Sequence, residues 1–452
     1  MELKNFKATN VHGYLNYNIN FNPRLTFLIG INGTGKTSVL KLILGLISPS
    51  FNYLNSIEFD TAELTCRDKS DIDIIIKASM NFNSNYLDLY LKNGEVEYIG
   101  SFEKTNFTLL NNEHSDEANE KLRGLIERFD QQEIVKEIKS LTTPLFLGLD
   151  RRVYEGQQID RMRHSWLIRR RYGNFPQNDP LNISLIDIQE VIYDYMRLIA
   201  SKQPKINEEF KNKILLQSFE FLETQEFNLW KDARELTDKR KKASDAFNNL
   251  NIEGISTHLT KFFDKLTETL NQFNEVQKKR NSKSNIQQKE IEVIQKWFNN
   301  QPQLRRIDEL IEFNQAYQDE VSKLYLPIEQ TKDIINKFFN ESKKKLQIDT
   351  QGELNIEFAN GKIAKLYELS SGEKQIITML GHLIFFEERF KSDTGIFIID
   401  EPEVSLHLAW QEIFVNSILE ASPKTQFILA THSPAILNEF DEGLCEDLAK
   451  LN

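Results

Sequence analysis

Two kinds of hydrophobic pattern share this chain, and the place where one gives way to the other divides it. Near the N-terminus the apolar positions come in short runs and alternations. Leu25-Thr26-Phe27-Leu28-Ile29 is a buried-type strand that opens into a glycine turn, and Ser38 to Ile47 carries apolar residues at helical spacing. The segments Ser56 to Leu64, Asp71 to Ala78, Tyr86 to Leu91 and Glu95 to Ile99 read as meandering strands, with Asn93-Gly94 as a hairpin turn. A charged helix is expected from about residue 115. The strand-like Pro144 to Leu149 follows, then a polar, arginine-rich stretch, Arg151 to Pro180, that reads as a loop.

From about 185 to 345 the pattern changes. Glycine almost disappears, and Leu259, Phe262, Phe263, Leu266, Leu270, Phe273 and Val276 recur at intervals of three and four, a stripe of coiled-coil type. Further stripes run through Ile307, Leu310, Ile311 and Tyr317, and through Ile334, Ile335, Phe338 and Phe339. This predicts several long helices, with a projecting coiled coil and a compact bundle as the two alternatives. After residue 346 strands and helices alternate again. Asn360-Gly361 joins two short strands, a helix follows Ser371, and Gly395 to Ile399 and Gln426 to Leu429 are apolar strands. Such alternation implies a parallel sheet with helices on its faces. The expected fold class is therefore α/β, one head split by a helical insertion. Residues 1–115 and 346–452 are its halves, 116–184 a connecting lobe with the arginine-rich loop, and 185–345 the insertion.

Composition narrows the setting. The 452 residues are 40% hydrophobic and 27% charged, with 31 phenylalanines, as in a soluble globular protein rather than a disordered one. Two cysteines cannot build a disulfide framework, so a reducing cytoplasm is expected. The start, Met1-Glu2-Leu3-Lys4-Asn5-Phe6, is unlike a signal peptide, and no apolar run reaches membrane-spanning length. No membrane partner is expected. A net charge of −11 weighs against indiscriminate coating of DNA. Within that acidic balance, Arg161, Arg163, Arg169, Arg170 and Arg171, with Arg151 and Arg152 nearby, concentrate positive charge. They read either as an anion surface for DNA or an acidic protein, or as a solvated loop.

Three clusters carry the chemistry. Gly30-Ile31-Asn32-Gly33-Thr34-Gly35-Lys36-Thr37 matches G-x-x-x-x-G-K-[ST] between a strand and a helix, the context that a phosphate loop requires. Asn32, Gly33, Thr34, Gly35, Lys36, Thr37 and Ser38 are the expected nucleotide-binding residues. Backbone N–H groups and the helix dipole cradle phosphates, Lys36 neutralises them, and the Thr37 hydroxyl ligates Mg²⁺. Ile396-Phe397-Ile398-Ile399-Asp400-Glu401-Pro402 is an apolar strand ending in two acids at the sheet edge where ligands sit. Asp400 is expected to hold the metal and Glu401 to act as catalytic base on water. The third cluster is Leu369-Ser370-Ser371-Gly372-Glu373-Lys374-Gln375, a helix start that can bind an anion or merely cap itself.

This third cluster, in its position before the acidic strand, resembles the signature motif of ABC ATPases. The resemblance implies that Ser370, Ser371, Gly372 and Glu373 meet the γ-phosphate bound to an opposite copy, with Ser371 and Gly372 the matched serine and glycine. It also implies a partner-touching loop at Glu403-Val404-Ser405-Leu406-His407. His432, in Ala430-Thr431-His432-Ser433-Pro434, becomes the histidine that contacts the γ-phosphate. The family's Q-loop glutamine stays open among Gln131, Gln132, Gln157 and Gln158, with the Arg151-Arg152 pair as a replacement.

The intermediate gap between Thr37 and Ser370 resembles the small AAA15/AAA21 ATPases, the OLD-like group found in anti-phage systems. Within it the chain is most similar to the PARIS defence ATPases and next to those of Septu. That resemblance implies a slow, regulatory ATPase that uses ATP and Mg²⁺. It implies head-to-head dimers assembled into a hexamer, holding and releasing a separately encoded TOPRIM or HNH nuclease in response to a phage trigger protein. The expectation of a separate effector also rests on the chain ending soon after His432. The alternative is a DNA-repair ATPase resembling RecF or SMC proteins that clamps DNA.

Overall fold

The computed structural model describes residues 1–81, 86–103, 116–141, 144–149, 153–155, 180–220, 229–248, 254–278, 285–390, 395–437 and 440–450. The arginines proposed as an anion surface (Arg161, Arg163, Arg169, Arg170 and Arg171) lie outside these residues, as do Arg151, Arg152, Gln157 and Gln158.

The chain opens with the antiparallel pair β1 (Glu2–Val11) and β2 (Leu15–Asn20), after which β3 (Leu25–Ile29) departs into a different sheet. The phosphate-loop candidate leads into α1 (Lys36–Ile47), and α2 (Phe51–Ser56) packs beside it. The expected strand Ser56 to Leu64 therefore begins later than its alternation indicates. Leu54 is fully buried and lies against Gly45 of α1, α2 takes Ser56, and residues 57–60 are a connection before β4 (Thr61–Arg67) starts. β5 (Asp73–Asn81), β6 (Tyr86–Asn93) and β7 (Val96–Glu103) complete a six-stranded antiparallel sheet in the order β2-β1-β4-β5-β6-β7. The helices α3 (Asp116–Gln131) and α4 (Glu133–Leu141) follow, then β8 (Leu145–Leu147) and β9 (Val153–Glu155).

Among the described residues four helices come next: α5 (Pro180–Ser218), α6 (Leu229–Asn248), α7 (Ile255–Lys278) and the 55-residue α8 (Asn285–Phe339). Two of the stripes legible in the sequence thus belong to one continuous helix. The chain then forms β10 (Lys344–Ile348), β11 (Leu354–Phe358) and β12 (Ile363–Ala364), followed by α9 (Ser371–Phe390) and β13 (Ile396–Asp400). It ends with α10 (Leu408–Ala421), β14 (Gln426–Ala430), the short α11 (Pro434–Leu437) and β15 (Cys445–Asp447).

The second six-stranded sheet runs β15-β3-β14-β13-β8-β9, parallel except for the final β8–β9 pair. Its strands come from both ends of the sequence. Residues Met1–Asp194 and Pro327–Asn452 accordingly make one compact unit, and Tyr195–Leu326 a second. The halves of the first unit are joined by buried polar contacts. The Gln426 side chain accepts the Leu3 N–H (2.7 Å) and donates to the Leu3 and Asn22 carbonyls (2.9 Å each). Arg24 donates to the carbonyls of Leu419, Ser422 and Thr425, which ties the end of α10 to the strand before the phosphate loop.

Helix α1 is apolar nearly all round because it is covered on several sides. Val39, Leu40, Leu42, Ile43, Leu44, Leu46 and Ile47 are buried in one cluster with Phe6 and Leu64 of the antiparallel sheet and Ile398 and Ile428 of the parallel one. In the second unit Leu236, Phe247, Phe263, Leu266, Phe273 and Trp297 form a separate core, with Leu259, Phe262 and Leu270 of the predicted stripe partly buried against it. Among the described residues no helix is long and apolar enough to cross a membrane.

Candidate functional site

Strand order assembles the site. The register sets Leu28 of β3 beside Ala430 of β14, and Ala430 beside Asp400 of β13. The Gly30 loop, the Thr431–Ser433 segment and the Asp400-Glu401 pair therefore leave one sheet edge side by side, about 4.8 Å apart per strand. Ligands of parallel α/β sheets bind at this carboxyl edge.

The phosphate-loop candidate is held from within and from below. Thr34 hydrogen-bonds the Ile31 carbonyl through both its N–H (3.2 Å) and its hydroxyl (2.9 Å). Tyr17 on β2 donates its hydroxyl to the Thr34 carbonyl (2.8 Å), and burial pushes the Tyr17 pKa up to about 12, so the group stays a donor. Gly35 is left-handed (φ 79°), and any side chain there would strike the Tyr17 hydroxyl. As the residue before α1, Gly35 supplies no side-chain cap, which leaves first-turn N–H groups available to an anion. Asn32 and Gly33 are exposed, Thr37 and Ser38 half-buried, and the Ser38 hydroxyl lies 2.8 Å from the His12 ring.

Lys36 is buried along its length. Its ammonium donates to the Gly30 carbonyl (2.9 Å) and to His432 Nε2 (2.5 Å), which joins the first and last motifs directly. Burial lowers its pKa, while the charges of Glu401, Asp400 and Glu403 act to keep it protonated. Asp400 is 2% exposed, and among the described residues neither carboxylate oxygen makes a hydrogen bond of good geometry. Burial pushes its pKa up to about 6. The neighbouring Thr37 hydroxyl opposes that rise, Glu401 adds to it, and Lys41 and Lys36 oppose it further. A buried carboxylate without committed partners, beside a threonine hydroxyl, suits a divalent cation completed by phosphate oxygens. Glu401 is less buried and takes a left-handed backbone (φ 49°) as the chain turns sharply off the sheet. Strain of that kind persists where the surroundings over-determine it.

Ionising Asp400 works against the fold, because its native pKa lies above its ordinary value of 3.8. The cost is full above about pH 6 and fades as the group takes up its proton below that. In nucleotide-free protein Asp400→Asn is therefore expected to raise the melting temperature at about pH 8 and much less at about pH 4, while ATP turnover is expected to fall. Thermal melts of both proteins across that range provide the check.

The helix start at Ser370 divides its labour. Glu373 N–H donates to the Ser370 hydroxyl (3.3 Å) and Ser370 N–H to the Glu373 carboxylate (2.9 Å), a reciprocal capping box, and Lys344 also binds Glu373 (2.6 Å). Ser370 and Glu373 are thus engaged by their own chain. Ser371, the first residue of α9, is exposed and has no capping duty. Gly372 is enclosed because the Ser405 carbonyl passes over it, so close that an added Cβ would lie only 2.5 Å from it. Gln131 and Gln132 are exposed at the junction of α3 and α4. Tyr17 and Glu403 are contributors that motif reading did not assign to these places. An acid three residues beyond Asp400 was the available signal for the second, and none marked the first.

A strand-to-helix phosphate loop beside an acid-tipped strand and a histidine defines a nucleotide-hydrolysing head. The chain belongs to the AAA ATPase domain family, whose model matches residues 1–437. It is similar to the Retron Vc95 probable ATPase of Vibrio cholerae serotype O1 biovar El Tor, 34% identical over 85 residues, which is 17% of this chain and 16% of that protein. It is also similar to the Septu protein PtuA of Bacillus thuringiensis, 40% identical over 107 residues, which is 20% of this chain and 27% of that protein. The matched stretches thus span little more than a quarter of these relatives at most. Among solved structures, the Smc head domain with an extended coiled coil from Pyrococcus furiosus aligns over 97% of this chain and 91% of its own, at 14% identity and a TM-score of 0.39.

Proposed function

We propose that this ATPase binds ATP on the Gly30–Ser38 loop and that a second copy closes the site with Ser371 and Gly372. Slow hydrolysis there regulates a separately encoded nuclease in anti-phage defence. The observation that carries the catalytic part is the convergence of Lys36, Asp400, Glu401 and His432 on one sheet edge. First-turn N–H groups of α1 and the Lys36 ammonium bind the phosphates. Thr37 and Asp400 would hold Mg²⁺, which supplies charge neutralisation for the triphosphate. Glu401 would orient and polarise the attacking water, and His432, hydrogen-bonded to Lys36, would contact the terminal phosphate. Exposed Ser371 and the N–H groups at the start of α9 offer the matching anion contact to a neighbour's nucleotide.

The biological part rests on the retron and Septu names of the relatives, which agree with the group that the intermediate gap between Thr37 and Ser370 resembles. The helical insertion is the proposed sensor and docking surface, and the assembly a hexamer of head-to-head dimers. Co-expression with the proteins encoded beside it, followed by size-exclusion chromatography with and without ATP, tests this. A nuclease of TOPRIM or HNH type is expected to co-elute. No co-eluting neighbour under either condition contradicts the defence role.

A further inference from the structure

The turn after Asp400 carries a third acid that the roles above leave unused. Glu403 sits on a segment folded back on itself: Val404 N–H donates to the Glu401 carbonyl (3.1 Å) and Leu406 N–H to the Glu403 carbonyl (3.0 Å). Left-handed backbone at Glu401 (φ 49°) and Ser405 (φ 73°) brackets it. From this turn Glu403 Oε1 accepts the backbone N–H of His432 at 2.7 Å. Its other oxygen, Oε2, is buried without a hydrogen-bond partner among the described residues, so the engagement is with that one amide.

A second tie runs parallel to the first. The Ser433 hydroxyl donates to the Gln411 side-chain carbonyl (2.6 Å), and the Gln411 amide donates to the Leu406 carbonyl (2.9 Å) of the same turn. The segment after β14 is thus pinned at two successive residues to the turn after β13. The His432 side chain itself is exposed, and its ring meets Lys36.

We infer that Glu403 is a positioning residue for His432: it fixes the histidine backbone so that the imidazole is presented to the terminal phosphate. A carboxylate accepting a backbone N–H is a charge-assisted bond, roughly twice as strong as a neutral one, and suits a tether on a coil segment. Gln411 through Ser433 sets the direction of the next residue, which limits rotation about the tethered one. This inference rests on the reading of His432 given above and adds the group through which that residue is held.

The test is a double-mutant cycle on kcat, KM and ADP affinity for Glu403→Ala, Glu403→Gln, His432→Ala and the Glu403→Ala/His432→Ala pair. Glu403→Ala and His432→Ala are each expected to lower kcat by ~10-fold or more, and the pair no further than His432→Ala alone. ADP affinity, which involves the loop but no terminal phosphate, stays within ~2-fold. Glu403→Gln keeps an acceptor oxygen and recovers most of what alanine loses. Where Glu403→Ala does not fold, Gln411→Ala cuts the second tie and is expected to lower kcat with the same lack of additivity. Multiplying effects in the pair (~100-fold), a loss of ADP affinity, or a glutamine variant as poor as alanine overturns the inference. Glu401→Gln in parallel separates the two levels. If it leaves hydrolysis intact, the site reading itself fails. If it stops hydrolysis while Glu403 and His432 act independently, only the present inference fails.

Discussion

Lys36→Ala is expected to weaken ATP binding by ~10- to 100-fold, since a hydrogen bond to a charged group contributes about 1.5–3 kcal/mol. The lysine ammonium is held in place before any ligand arrives, against the Gly30 carbonyl and His432 Nε2. That preorganisation lowers the entropy cost of meeting a phosphate. Burial lowers its pKa, and the three carboxylates Glu401, Asp400 and Glu403 partly oppose that shift. Titration with a fluorescent ATP analogue, alongside a melting curve to confirm the fold, measures the effect. An unchanged dissociation constant contradicts the role given to the loop.

Glu401→Gln is expected to separate binding from turnover. The substitution preserves shape and removes the proposed base, so hydrolysis is expected to fall by ~10²–10⁴-fold while ATP affinity is retained. Asp400 is the competing acid, and its environment argues against it as the base. It is almost wholly buried, and it lies beside Thr37, the other group suited to a cation. Glu401 is more accessible, and the left-handed turn carries it off the end of the strand. Single-turnover measurement of phosphate release, together with retention of ATP by the variant on a desalting column, distinguishes the two acids. Turnover that survives the substitution moves the base elsewhere.

How much of this was legible beforehand differs by element. The phosphate loop, the apolar strand ending at Asp400 and the segment at His432 announce themselves locally, because a fully buried strand can carry polar residues only where it leaves the sheet. The helical insertion is legible for a related reason: its stripe repeats at helical period, and Phe263, Leu266 and Phe273 are buried as that stripe requires. What one sequence cannot display is strand order. Nothing local says that β14 lies between β3 and β13, yet this arrangement places His432 on Lys36. Long-range polar contacts are equally silent, which is why Glu403 passed as one residue of a partner-touching loop. At Ser56 to Leu64 an alternating pattern lost to local packing, where Leu54 sits against Gly45. The capping box between Ser370 and Glu373 could have been read from spacing, and it leaves Ser371 as the exposed hydroxyl.

The central claim is that each nucleotide is shared by two copies, and mixing two inactive variants measures it most directly. One copy carries Lys36→Ala with an intact Ser371, and the other carries Ser371→Arg with an intact phosphate loop. Each alone is expected to be inactive. Co-expressed with different tags and purified as the mixed pair, they form one complete site of two, and ATPase activity returns to about half that of the unmodified dimer. A purified mixed pair as inactive as its parents, or full activity in Ser371→Arg alone, contradicts the shared site.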